Sequence, residues 1–361
     1  MVRLIIPWNC ELRGKMTALM ALPLYRPHEL SFRTQYAEVK ERSRAAGRLL
    51  PGTPGRLVLR TGTGYGYWYR GYYSVPGQEV EDFICKESDD EALRAAKEQI
   101  EFAEWTARQV RDLRKLEFQI ADKPVARVLV ELHNAGLFES GLVLVGTLCY
   151  MAWLNELGVK ANIARTQDID LARRQALKLA APLPFLETIE ATKLKFSPIP
   201  GMPSRTPPTS VKRPGANELR IDVLADGPTL GRTVPVPELQ WHAQTVPFYD
   251  YLLSQPREAC VLAGGHCVPV KLPAPERLLW HKVYASANRS GAPEKAQKDL
   301  LQAATLAVIL VEQDEASLRD SLREAPARLR SAAHARRHAL VKLLEVHPEA
   351  AAQLELAVQS G

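Results

Sequence analysis

Three carboxylates and a glycine–threonine pair carry the chemistry available to this sequence. Asp168 and Asp170 stand two apart in Thr166-Gln-Asp-Ile-Asp-Leu171. On a strand, positions i and i+2 project to the same face, so the two carboxylates point together and Ile169 points into a core. Two carboxylates on one face make a hard-oxygen site for Mg²⁺ or Mn²⁺. Asp222 alternates in the same way between Ile221 and Val223. Supplied by a neighbouring strand, it completes a two-metal site with ions about 4 Å apart. Upstream, the apolar run Leu142-Val-Leu-Val145 ends at Gly146-Thr147 and flows into an apolar helix, Leu148 to Leu157. Gly146 has no Cβ to keep a ligand away from the backbone. The helix start offers free N–H groups and a positive dipole end to phosphate, and Thr147 adds a hydroxyl.

The elements that must position these groups are legible as pattern. Residues 30–48 have helical spacing that Gly47 closes. Residues 56–73 alternate around a turn at Thr61-Gly-Thr-Gly64, and Glu79–Cys85 reads as a third strand of a small antiparallel meander. Ser88-Asp-Asp-Glu91 signals the start of a long amphipathic helix reaching about Ile120, and Lys123-Pro124 breaks it. A second helix spans 125–137, with Gly136 as its stop. The proline-rich stretch 197–217 reads as a mobile loop before the strand Glu218–Leu224. Residues 228–275 hold short strand candidates. Beyond Pro275, helices are expected at Glu276–Ala287, Lys295–Val311, Ala316–Glu324 and Ala327–Leu344.

Gly146-Thr147, Asp168-Ile-Asp-Leu171 and Ile221-Asp-Val-Leu224 together resemble the nucleotidyltransferase-fold superfamily. More narrowly, Leu144–Tyr150, Thr166–Leu171 and the aromatic hairpin around Tyr67-Trp-Tyr69 are similar to an uncharacterised bacterial family of that fold. More distantly, the chain resembles the toxin half of abortive-infection toxin–antitoxin pairs. Thr147 stands where the superfamily usually has Gly or Ser, and the gap from Thr147 to Asp168 is longer than usual. The resemblance implies an NTP substrate whose triphosphate is met by a basic residue on the C-terminal helices. Lys282 is the first candidate, followed by Lys298 with Asp299, in a segment that also holds Arg289 and Lys295. Arg165 and Arg220 flank the carboxylates and either meet phosphate or balance charge.

Other features have plainer readings. The aromatic run Tyr65, Tyr67, Trp68, Tyr69, Tyr72 and Tyr73 invites base stacking, but a hairpin with one face in the core accounts for it better. His266, between Cys260 and Cys267 after Gly264-Gly265, reads as a turn residue, as does Asp226 before Gly227. From Arg319 to Lys342 there are seven Lys/Arg against two Asp/Glu. This is either a solvated face or a track for a nucleic-acid backbone.

Composition bounds the rest. The 361 residues carry a formal net charge of +6, compatible with a polyanionic partner without demanding one. Five cysteines at irregular spacing, with no CxxC pair, argue against a zinc knuckle or disulfide framework and for reduced thiols in a cytoplasmic protein. No apolar run approaches membrane-spanning length. Met1–Lys15 matches no folded element, so Met16 is an alternative start.

The expected fold is α+β: a small mixed-sheet nucleotidyltransferase core with an N-terminal helix and β-hairpin module and a helical C-terminal domain. Boundaries are drawn at 1–87, 88–124 (a connecting helix), 125–245 and 246–361. The expected reaction moves a nucleoside monophosphate from an NTP to an acceptor hydroxyl on RNA, a tRNA end or a protein. Asp168, Asp170 and Asp222 serve as catalytic and metal residues. Gly146, Thr147, Lys282 and Lys298 bind the nucleotide. Two other readings stay open: a non-catalytic nucleic-acid-binding module, and a toxin-like regulator.

Overall fold

The computed structural model describes residues 23–62, 64–161, 166–215, 218–289, 291–314 and 316–360. Met1–Lys15, Cys10, Met16 and Arg165 lie outside the described residues. The fold is α+β, with a mixed sheet, a separate antiparallel meander and a helical C-terminal part.

The chain begins with β1 (Arg26–Pro27) and α1 (Leu30–Ala45), followed by the meander β2 (Arg56–Gly62), β3 (Tyr65–Val75) and β4 (Gln78–Lys86). On one face of β3, Arg70 and Tyr72 are buried, while Tyr67 and Tyr69 meet the exposed Phe83 on the other. Alternation therefore places one aromatic row inward and leaves the other half-exposed, as expected of a hairpin with a single core face.

Helix α2 (Asp90–Lys115) is capped by Asp89, whose carboxylate accepts the Ala92 N–H at 3.0 Å. We expect Asp89→Ala to cost about 1 kcal/mol, read as a lower urea midpoint at an unchanged slope. The helix stops five residues before the expected Ile120. Glu117 adopts a left-handed φ of 68°, which turns Phe118 into a stack with His28 at 4.0 Å and Tyr36 at 5.6 Å. Burying Phe118 outweighs another helical turn. Pro124, expected to break the preceding helix, instead begins the next: it sits in the first turn of α3 (Lys123–Asn134), where its missing N–H costs nothing.

Next come β5 (Leu142–Val145), α4 (Gly146–Glu156), β6 (Val159–Lys160) and β7 (Asp168–Arg173). Helix α4 starts two residues earlier than the apolar pattern suggests. They are followed by α5 (Phe185–Glu190), β8 (Ser197–Pro198), β9 (Ser210–Lys212), β10 (Arg220–Asp226), β11 (Thr233–Val236) and β12 (Trp241–Val246). The sheet runs β11-β12-β10-β7-β5. Strand β10 is parallel to β7 and β12, and β5 is antiparallel to β7. The first half of β10 is also edged by β9, antiparallel. The proline-rich stretch read as a loop thus contributes two short strands.

Short α6 (Tyr249–Leu252) and the hairpin β13 (Arg257–Ala263) and β14 (His266–Leu272) lead to α7 (Pro275–Asn288), α8 (Pro293–Glu312), α9 (Leu318–Arg323), α10 (Ala327–Leu343) and α11 (Pro348–Ser360). Helix α11 lies beyond the expected set and buries Ala350, Leu354 and Ala357. Trp280 of α7 is fully buried and donates to Ser321 of α9. Among the described residues no helix is long and apolar enough to cross a membrane, and the four described cysteines are free and buried.

Candidate active site

Strand pairing brings the sequence-predicted carboxylates to one place. In the β7–β10 register Asp170 faces Asp222 and Asp168 faces Arg220, while Val145, the residue before Gly146, faces Asp170 across β5–β7. Ile169, Leu171, Ile221 and Val223 are buried on the opposite face, so the alternation that packs the core also directs the three aspartates outward.

Gly146 closes the arrangement. Its φ of 73° lies in the left-handed region, and a Cβ there would stand inside the Asp170 carboxylate, 2.9 Å from its Cγ. The start of α4 is therefore pressed against Asp170 because the residue is glycine. Thr147 follows, half-buried, at the mouth of a cleft of about 830 Å³.

Helices α7 and α8 supply the far wall of this cleft, with Lys282, Lys298, Lys295 and Asp299 among its lining residues. Lys282 is buried and approaches Asp299 at 3.3 Å, and Arg289 approaches the other Asp299 oxygen at 2.9 Å. Asp299 thus holds two cations in place. Lys298 sits half-buried nearby, its ammonium pulled below the usual lysine range by burial and then by Lys282. The structure therefore brings Gly146, Thr147, Asp168, Asp170, Asp222, Lys282 and Lys298 around one cleft.

The carboxylates are electrostatically strained. Burial, then Asp222 and Asp168, push the Asp170 carboxyl up to about 7 against the opposing pull of Lys282 and Arg220. Asp222 is held by Arg220, at 2.7 Å, and by the Ser210 hydroxyl, which donates to it. Arg220 therefore balances charge at the carboxylates.

Among the described residues no three carboxylate, imidazole or thiol groups are gathered into a ready-made metal cluster. The donor set still fits a divalent cation. Its atoms are hard oxygens, and the burial and carboxylate repulsion that push Asp170 up to about 7 are what a cation relieves.

Pattern alone did not single out four residues, three lining the cleft and one bonded to Asp222. Ser210 lies in the proline-rich stretch on β9, opposite Asp222. Tyr249 and His281 line the cleft together, ring edge to face at 5.2 Å. Burial pulls the His281 imidazole down to about 4 and pushes the Tyr249 phenol up, Asp170 adding to the latter. Arg328, at the start of α10, also lines the cleft. Asp226 and His266, both expected in turns, stand at strand ends instead. Asp226 ends β10 and accepts the Asp250 N–H, and His266 opens β14 with its Nε2 against the Leu50 carbonyl at 3.0 Å.

Comparison with known proteins gives a family model described as "Nucleotidyltransferase", which matches residues 123–327, more than half of the chain. No curated protein sequence matches. Among solved structures, the chain is similar to the crystal structure of an antigenic nucleotidyltransferase-like protein from Paracoccidioides brasiliensis. The two are 15% identical with a TM-score of 0.36, and the match covers 64% of this chain and 91% of the other.

Proposed function

The chain belongs to this nucleotidyltransferase family, and from that membership we propose that it transfers a nucleoside monophosphate from an NTP to an acceptor hydroxyl. The acceptor oxygen forms a bond to the α-phosphorus, the α–β phosphoanhydride breaks, and pyrophosphate leaves. The observation that carries this reading is the register placing Asp170 beside Asp222 and next to Gly146.

Asp168, Asp170 and Asp222 would hold Mg²⁺ or Mn²⁺, whose charge supplies Lewis acidity at the transferred phosphoryl group and at the attacking oxygen. The remaining work belongs to the chain itself. The N–H groups at the start of α4 and the Thr147 hydroxyl orient the β- and γ-phosphates. Lys282, fixed by Asp299, and Lys298 offset their negative charge. Ser210 and Arg220 fix the Asp222 rotamer, so that little reorganisation is needed as charge develops. Protein, Mg²⁺ and α-labelled NTPs are incubated with cell extract. Labelling of an acceptor that is lost in Asp168→Ala/Asp170→Ala supports the reading; equal labelling by that variant rejects it.

Lys282→Met is expected to raise KM for the NTP by about ten- to a hundredfold, the worth of one charge-assisted phosphate contact. A change in kcat alone, with KM intact, would remove Lys282 from nucleotide binding.

For the acceptor we favour a polynucleotide over a protein. Arg328 lines the cleft and begins α10, whose residues include Arg330, Arg336, Arg337 and Lys342 but no Asp or Glu. A backbone leaving the cleft at Arg328 would continue along that helix. Binding of single-stranded RNA that weakens with salt, and less steeply in Arg328→Ala/Arg337→Ala, supports this acceptor class. A salt slope unaltered by the substitutions counts against it.

A further inference from the structure

A second cavity, of about 500 Å³, lies between β3, α2, the start of α3 and the β13–β14 turn. Gly264 forms that turn with a φ of 56°, and a Cβ there would come within 2.8 Å of the Lys123 Cα, so the turn sits directly on the start of α3. The cavity's charged lining is Arg111, Arg114, Lys123 and Arg127, with His266 beside them; no Asp or Glu lines it. Arg111, Arg114 and Lys123 are exposed, and no ion pair among the described residues engages them.

A second observation is independent of that rim. Arg70 is only 2% exposed. Its guanidinium donates to the carbonyls of Pro51, Thr53 and Pro54 and lies 3.9 Å over the Tyr72 ring. No carboxylate pairs with it among the described residues, and burial pulls it down to about 10. A buried cation is costly; Asp82, opposite it on β4, and the Tyr72 ring offset that only in part, and it stands behind the Thr53–Pro54 wall of the cavity. His266 reports the same field: burial, then Arg127 and Arg70, hold its imidazole below the usual value. The uncapped start of α3 adds a positive dipole end. Apart from Thr53 and Ser74, the remaining lining is apolar or aromatic, including Tyr73, Ala103, Ala107 and Val110.

We propose that this cavity is a second ligand site, separate from the catalytic cleft, for a phosphate-bearing ligand with an apolar or aromatic body. A nucleotide offers that chemistry, either free or as one residue of a polynucleotide. The volume falls within the range of small-molecule sites, and three unpaired cations, Arg111, Arg114 and Lys123, with Arg127 held by Glu131 behind them, select for an anion. This inference does not depend on the catalytic reading.

The test is hydrogen–deuterium exchange on the full chain in EDTA, with adenosine monophosphate in one arm and a short single-stranded oligoadenylate in the other. At least one probe is expected to protect residues 103–114 and 263–267. In Arg111→Glu/Lys123→Glu that protection should need about tenfold more probe, or more still. Arg111→Gln/Lys123→Gln repeats the test without charge reversal. Protection by the mononucleotide identifies a free-nucleotide site, and protection by the oligomer alone identifies a polynucleotide site. The proposal is overturned if neither probe protects these segments, or if both variants respond like the parent protein. Failure of the catalytic reading is read separately, as loss of Mg²⁺-dependent labelling, and leaves this site standing.

Discussion

Asp170→Asn is expected to abolish nucleotidyl transfer, by at least about a thousandfold, while making the metal-free protein more stable above neutral pH. Both effects follow from one environment. Burial and the neighbouring Asp222 and Asp168 raise the Asp170 carboxyl from 3.8 to about 7. The folded state therefore holds a proton there that the unfolded chain has lost. Between roughly pH 4 and 7 the unfolded chain binds fewer protons at this position, so stability falls as pH rises through that window. Below it the contribution is fully present; above it the loss levels off at about 4 kcal/mol. An asparagine carries no such penalty. Thermal melts in EDTA should show variant and parent nearly equal near pH 4 and diverging toward pH 8, with the variant ahead. Mg²⁺ should raise the melting temperature of the parent at pH 8 and leave that of the variant nearly unchanged, since binding to the folded state stabilises by mass action. A variant less stable than the parent at pH 8 would mean that Asp170 is a structural residue and not a strained ligand. Transfer retained in the variant would remove it from the chemistry.

That the stability cost falls on a residue legible from the sequence has a physical reason. Asp168, Asp170 and Asp222 stood out because strand alternation is local: buried Ile169 and Ile221 force their neighbours to the other face. Gly146 stood out because an apolar strand ending in glycine and entering a helix has few structural uses. Partners set by long-range register were hidden. Ser210 reaches Asp222 only because β9 pairs with β10, and it lies among prolines that read as a loop. The Lys282–Asp299 pair depends on how α7 packs on α8, and resemblance, not spacing, pointed to Lys282. Helix α2 ended early because Phe118 found a pocket between His28 and Tyr36, which no periodicity in 88–120 encodes. Helix α11 went unread although its buried Ala350, Leu354 and Ala357 recur at helical spacing. Small residues leave a faint apolar stripe.

Gly146→Ala is the converse experiment, because it leaves every carboxylate in place. The expected result is a fall in kcat/KM of about a hundredfold or more. Two costs combine. An alanine at a φ of 73° is strained by about 1 kcal/mol or more. Its methyl would also stand inside the Asp170 carboxylate, 2.9 Å from Cγ and 3.3 Å from Cβ. Asp170 lies on a central strand paired on both sides, so its backbone cannot retreat. The carboxylate must rotate, or α4 must lift away from β7. Either movement separates Asp170 from the N–H groups that start α4, so phosphate and carboxylate no longer meet in one place. The effect should appear in kcat as well as KM, since the relative placement of the two halves of the site is lost and not merely one contact with the nucleotide. The neighbouring Thr147→Ala removes a hydroxyl without moving the backbone and should cost much less, about tenfold or below, chiefly in KM. If Gly146→Ala and Thr147→Ala gave equal and small losses, the close approach of α4 to Asp170 would have no catalytic meaning and Gly146 would be no more than a turn residue.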